Sequence, residues 1–180
     1  MRSASLPLSI GNMVSALITI RNARAKDAAS IAAVHDTSWL EAYRGIIPGR
    51  ELEKMISRRG PKWWGNAISR GSNILVLDFN DTIAGYATYG RNRIPSMPYR
   101  GEVFELYLAP EYQGLGFGRR LFKAARADLA RHGCTKAVVW ALADNTRAIS
   151  FYEHLGGRLL KRAPEKFGAE IRERVAFVFE

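Results

Sequence analysis

Cysteine is almost missing from these 180 residues. Cys134 is the single one. That excludes an internal disulfide and suits a reducing, cytoplasmic setting. Histidine is scarce as well. His35, His132 and His154 share no metal-ligand spacing, so no metal is expected. No apolar run approaches the ~20 residues that cross a bilayer, so a membrane partner is not expected. The opening stretch MRSASLPLSIGNM lacks a secretory cleavage pattern. Residues 1–15 read as a flexible extension, with Met13 as an alternative start, and residues 16–180 as one domain. Acidic residues are outnumbered: 17 against 27 basic ones, for a net charge of +10. Yet no run of five or six like charges occurs. The basic segments SRRG, GRRLF and LLKRAPEKF are separate, and no nucleic-acid motif is present. This disfavours nucleic acid and leaves a phosphorylated small molecule as a fitting anionic partner.

What is present is a mixed pattern. ALITIRNA (16–23) alternates and is β-branched, which reads as a strand. Asp27 is placed to cap a helix carrying Ile31, Val34, Trp39 and Tyr43. A second helix follows Pro48, and a further short one ends at Gly71. NILVLDF and TIAGYATYG flank Asn80-Asp81, a two-residue hairpin turn. RNRIPSMPYRG, with two prolines, reads as a loop. EVFELYLAP (102–110) is a strand, 115–132 a helix, and KAVVWALA (136–143) a buried strand. Asp144 or Asn145 caps the helix through TRAISFYEHL, which Gly156-Gly157 ends. RLLKRA and EIRERVAFVFE close the chain as strands. The order β-α-α-β-β-β-α-β-α-β-β is an α/β domain around one layered core.

Between strand 102–110 and the next helix lie Gly114, Gly116 and Gly118, followed by Arg119 and Arg120. Glycine costs backbone entropy, so the bare backbone must serve a purpose. A strand feeding a helix this way leaves the first helical N–H groups unpaired and partly positive. An anion can approach them closely. The plain alternative is a tight connection without a ligand. The dinucleotide fingerprint would require glycine at Arg119, and the nucleotide P-loop would require Gly-Lys-Ser/Thr where GRRL stands. Both fail. What remains is Q-x-x-G-x-G, at Gln113, Gly116 and Gly118.

LYLAPEYQGLGFGRRL resembles the acyl-CoA-binding motif of the GNAT superfamily of N-acetyltransferases. DNTRAISFYEHLGG resembles that family's next motif through Asn145, Ala148, Phe151, Tyr152 and Gly156. The resemblance spans residues 17–180. It implies a GNAT-like, mostly antiparallel sheet of about seven strands with helices on both faces, splayed between the fourth and fifth strands. It also implies acetyl transfer from acetyl-CoA to an amine by direct attack on the thioester. Many relatives are dimers, so a homodimer is a further expectation. A non-catalytic acyl-CoA-binding or basic nucleic-acid-associated module is the competing reading.

The resemblance distributes roles. Backbone N–H groups of Gly114, Leu115, Gly116, Phe117, Gly118 and Arg119 would hold the pyrophosphate. Leu106, Tyr107 and Leu108 would offer ladder groups to the pantetheine arm, with Gln113 beside them. Asn145 would bond the arm from the other side, or serve as a plain helix cap, or both. Tyr152 would be the general acid, because a phenol with an ordinary pKa of about 10 is protonated at neutral pH. The general base is open. Trp140 stands where some members carry glutamate, which leaves Glu102 and Glu105 as candidates, with water as the alternative. The two glutamates differ by an odd step and so face opposite sides of a strand unless a bulge intervenes. Trp39, Tyr43, Trp63 and Trp64 are mostly core residues by default, but the resemblance implies that the first two helices and the RNRIPSMPYRG loop wall the acceptor site, which would make some of them specificity residues; His35 belongs on the surface or beside an acceptor pocket. Cys134 enters the core.

Overall fold

The computed structural model describes residues 18–180; the expected 1–15 extension and Met13 lie outside them. The elements run β1 (Ile18–Asn22), α1 (Ala28–Tyr43), α2 (Gly49–Ser57), α3 (Pro61–Ser69), β2 (Ile74–Phe79), β3 (Thr82–Arg91) and β4 (Gly101–Leu108). Then come α4 (Phe117–Arg131), β5 (Ala137–Leu142), α5 (Thr146–His154), β6 (Arg158–Phe167) and β7 (Glu170–Phe179). Three helices separate β1 from β2, one more than the sequence order counts. The sheet order is β1-β2-β3-β4-β5-β7-β6. Only β4 and β5 run parallel; the other neighbours are antiparallel.

Local chemistry accounts for most of the boundaries. Asn80 and Asp81 both have positive φ, the condition for a twist-matched two-residue hairpin. Asn145 accepts a hydrogen bond from the Ala148 N–H at 3.1 Å and so caps α5. Asp27 does not cap α1. Its carboxylate instead accepts from the Arg24 N–H at 2.7 Å and from Arg21. Arg21 also reaches Asp78 on β2, which ties β1, β2 and the entry to α1 together. β6 continues through Pro164, past the expected end at Ala163. Proline lacks a donor, but β6 lies at the sheet edge, where none is required.

The two faces are covered by different helices. Phe117, Leu121, Phe122, Ala125 and Leu129 recur at helical spacing along α4 and pack with α5 on Val103, Val139 and Phe177. α1 and α3 cover Val76, Ile83 and Tyr86 on the opposite face. Full burial of such side chains contributes ~1.5–3 kcal/mol each. Cys134 is buried in the first of these layers, as expected.

Two irregularities in the sheet shape the site. β4 pairs with β5 only from Gly101 to Val103 and then diverges, which opens the expected splay. On its other edge, Thr88 opposes Glu105 while Tyr89 opposes Val103. Phe104 is therefore an extra residue, a β-bulge. The bulge cancels the odd step and brings Glu102 and Glu105 to the same face.

Candidate active site

The splay opens a cleft of about 570 Å³ between β4, the glycine loop and α5. Gly114, Gly116, Gly118 and Arg119 line it, together with Leu106, Tyr107, Leu108, Gln113, Asn145 and Tyr152. Gly114 and Gly116 have φ of +74° and +80°, which an L side chain rarely adopts. Gly118 has a different reason. A Cβ there would come within 3.1 Å of the Phe151 ring, so the glycine lets α4 approach α5. Among the described residues, no backbone or side-chain acceptor takes the N–H groups of Gly114 through Arg119. This is a ready row of donors at a helix N-terminus. Leu115 is exposed and Phe117 buried in the core, so these two can offer the cleft only their backbone.

Backbone alternation decides which β4 groups face the cleft. The Ala109 N–H donates to the Ala84 carbonyl on the β3 side at 2.8 Å. Tyr107, two residues back, points its peptide groups the same way, while Leu106 and Leu108 point theirs into the splay. The Leu108 carbonyl agrees, since it accepts from Ser38 Oγ at 3.0 Å and Gln113 Nε2 at 3.1 Å. Tyr107 therefore contributes its side chain rather than a ladder group. Gln113 also donates to Glu41 at 3.0 Å and accepts from Arg147, which itself pairs with Glu41 at 2.8 Å. Gln113 thus ties α1, the loop and α5 together across the cleft.

Tyr152 sits seven residues after Asn145, and its ring is packed among Phe122, Phe151, Phe177 and Phe179. Burial pushes its phenol pKa up, so it is protonated throughout the neutral range.

A second cleft, of about 580 Å³, adjoins the first on the α1 side of β4. Tyr107 lines both. Trp39, Tyr43, Trp63, Trp64 and Trp140 line the second one, while Trp39 and Trp64 are also buried in the core, as the default reading has it. Glu105 lies on its floor, ion-paired with Arg59, and accepts from Thr88 Oγ1 at 3.1 Å. Arg59 stacks on Trp63 with its guanidinium 4.7 Å from the ring centre.

Glu102 is apart from both clefts, at 1% exposure. It accepts from the Arg93 backbone N–H at 2.9 Å and from Arg93 Nη2 at 2.5 Å, which pins the 92–100 loop to β4. His35 is neither on the surface nor in a cleft wall. It is fully buried, with Nδ1 2.8 Å from the Tyr86 hydroxyl. Sequence reasoning passed over Ser38, Glu41, Arg59 and Arg147. Ordinary polar residues of this kind carry no motif; α1 brings Ser38 and Glu41 to the site, the turn between α2 and α3 brings Arg59, and α5 brings Arg147.

Among the described residues, no group of His, Cys, Asp and Glu is arranged to hold a metal ion. No helix there is long and apolar enough to cross a membrane. Comparison with known proteins gives these features a family. An uncharacterized N-acetyltransferase, YuaI of Bacillus subtilis, is 28% identical over 157 residues, covering 87% of this chain and 90% of its own. The crystal structure of the PaiA N-acetyltransferase of Thermoplasma acidophilum in complex with coenzyme A superimposes with a TM-score of 0.69 at 21% identity. It covers 87% of this chain and 97% of that one. YncA of Salmonella typhimurium, a putative acetyltransferase solved with acetyl-CoA, gives 0.66 at 23% identity, over 91% of this chain and 94% of that one. At these identities the two structures establish the shared fold. The family model described as acetyltransferase (GNAT) family matches residues 26–157, most of the chain and both glycine-bearing motifs, and the chain belongs to that family.

Proposed function

We propose that this chain moves an acetyl group from acetyl-CoA to a primary amine of a small molecule or peptide, by direct attack of the amine on the thioester. One observation carries the proposal. The free N–H row from Gly114 to Arg119 and the buried, protonated Tyr152 open onto one cleft, with a second cleft joined to it at Tyr107. The neighbours solved with coenzyme A or acetyl-CoA support this choice of donor.

The residues fit the donor part by part. The loop N–H groups match a pyrophosphate, with Arg119 adding charge. The Leu106 and Leu108 peptide groups match the amides of a pantetheine arm. The Leu106 N–H is also placed to polarise a carbonyl beside the splay. Asn145 caps α5 and lines the same cleft.

Acetyl-CoA supplies a thioester carbonyl and a thiol leaving group. The amine nitrogen forms a bond to the carbonyl carbon, and the C–S bond breaks with its electron pair remaining on sulfur. Tyr152 donates its proton to that sulfur and is reprotonated from water. Glu105 accepts the surplus amine proton through water. Glu102 is a structural carboxylate in this scheme.

The test is thiol release from acetyl-CoA over a panel of amines, combined with pH–rate profiles of Glu105→Gln and Glu102→Gln. Thiol release that rises with an amine and yields the N-acetyl product is expected. Loss of the acidic limb in Glu105→Gln alone is expected too. An unchanged limb in both variants removes the glutamates from the proton path. Donor binding without amine-dependent release returns the chain to the binding-module reading.

A further inference from the structure

The second cleft has a charge pattern that the transfer chemistry does not require. Its lining holds three arginines, Arg59, Arg91 and Arg93, against one acid, Glu105. Glu105 already faces Arg59 and Thr88. Arg93 is committed to Glu102 through both Nε and Nη2. Arg91, at the exposed end of β3, pairs with no carboxylate among the described residues. Aromatic rings form much of the remaining wall, with Trp63 half-open to solvent at 42% exposure.

A polycationic acceptor entering here would meet guanidinium groups and find a single, occupied carboxylate. Desolvating extra ammonium groups without partners is costly. An acceptor with one amine and one carboxylate fits both ends. Its amine faces Glu105 and Tyr107, next to the donor cleft. Its carboxylate meets a guanidinium that has no other partner, in the geometry arginine recognises best. The tryptophan faces suit an apolar or flat body between them. The net charge of +10 works in the same direction, opposing the approach of a polycation but not that of a zwitterion.

Resting on the acetyl-transfer reading above, we infer that the acceptor is a small amine that also carries a carboxylate, with Arg91 as the group that selects for it.

The experiment compares matched pairs: phenylalanine with phenylalaninamide, methionine with methioninamide and glycylglycine with its amide. Spermidine is the polycationic control. Amidation lowers the pKa of the amine and so favours the amide chemically, which makes a preference for the acid harder to reach by accident. A kcat/KM at least ~10-fold higher for the acids is expected, a difference the size of one good charge-assisted contact. Arg91→Gln should raise KM for the acids, leave kcat nearly unchanged and flatten the acid-to-amide ratio. Equal or better turnover of the amides or of spermidine overturns the inference, as does an acid-to-amide ratio that Arg91→Gln leaves intact.

Failure of the transfer reading itself looks different, because no amine then releases thiol. Thermal-shift binding in the presence of coenzyme A then tests, by itself, the cleft's preference for a carboxylate-bearing amine through Arg91. Greater protection by the acids than by the amides, lost in Arg91→Gln, upholds it. Equal protection overturns it.

Discussion

The Tyr43 hydroxyl lies 2.6 Å from the Tyr107 hydroxyl, at the wall between the two clefts. Tyr43 is the last residue of α1, and Tyr107 stands near the end of β4. The bond fixes the end of α1 over the part of β4 that has already diverged from β5. Burial pushes both phenols above their ordinary pKa, so one donates and the other accepts at any neutral pH.

Removing one partner strands the other. Tyr43→Phe is expected to cost about 1–3 kcal/mol in urea unfolding, because a buried hydroxyl loses its mate. The double variant Tyr43→Phe/Tyr107→Phe should be less destabilised than the sum of the two single changes. Strict additivity would mean that the two hydroxyls do not depend on one another.

Tyr152→Phe addresses the proposed general acid. Turnover should fall by roughly 10²-fold or more, within the usual worth of a positioned proton donor. Affinity for acetyl-CoA should change little, since the ring and its packing stay in place. Steady-state kinetics alongside a binding titration separates the two. Unchanged turnover would remove Tyr152 from the chemistry.

Gly118 and Phe151 set how closely α4 approaches α5. Gly118→Ala places a methyl group about 3.1 Å from the Phe151 ring and should cost about 1–3 kcal/mol. Adding Phe151→Leu should return part of that stability. Gly116→Ala differs in kind. Its Cβ meets nothing, but its φ of +80° strains the loop by about 1–2 kcal/mol. No change at Phe151 should relieve that cost. Denaturant midpoints of the four variants distinguish a clash from a backbone strain.

His35 predicts a pH dependence. Burial lowers its pKa to about 3, against about 6.5 in an unfolded chain. The folded state therefore binds fewer protons between those values. Its contribution to stability is fully present above pH ~6.5 and is lost as pH falls toward 3. Between pH 7.5 and 5 the loss should reach about 2 kcal/mol. His35→Gln, which does not titrate, should flatten that part of the stability curve. The window stays above the range where Asp27 titrates, since its carboxyl is held low by Arg21. An unchanged slope would show that His35 is not the group responsible.

Several elements were legible from residue pattern alone. Alternation marked β1, Asn80-Asp81 marked the hairpin, and Gly71 and Gly156 marked helix ends, because each depends on backbone conformation within a few residues. Asp27 misled for the opposite reason. Its carboxylate had a stronger offer from Arg21, which is a cap's competitor only once β1 lies beside α1. His35 looked like a surface or pocket residue because its imidazole is polar. Its burial depends on Tyr86, 51 positions away, which supplies the partner. Pro164 looked like the end of a strand, and only the edge position of β6 makes it tolerable there.

The sequence by itself marked the glycine-loop cleft. Glycine spacing, the flanking strand and helix, and the Asn145–Tyr152 interval are local relations, and local relations survive in a linear pattern. The tertiary structure decided the second cleft. The Phe104 bulge turned Glu105 and Glu102 to one face, and the turn between α2 and α3 brought Arg59 to Glu105, while Glu102 pairs with Arg93. The Arg59–Glu105 pair joins segments 46 positions apart, a relation that no spacing rule encodes.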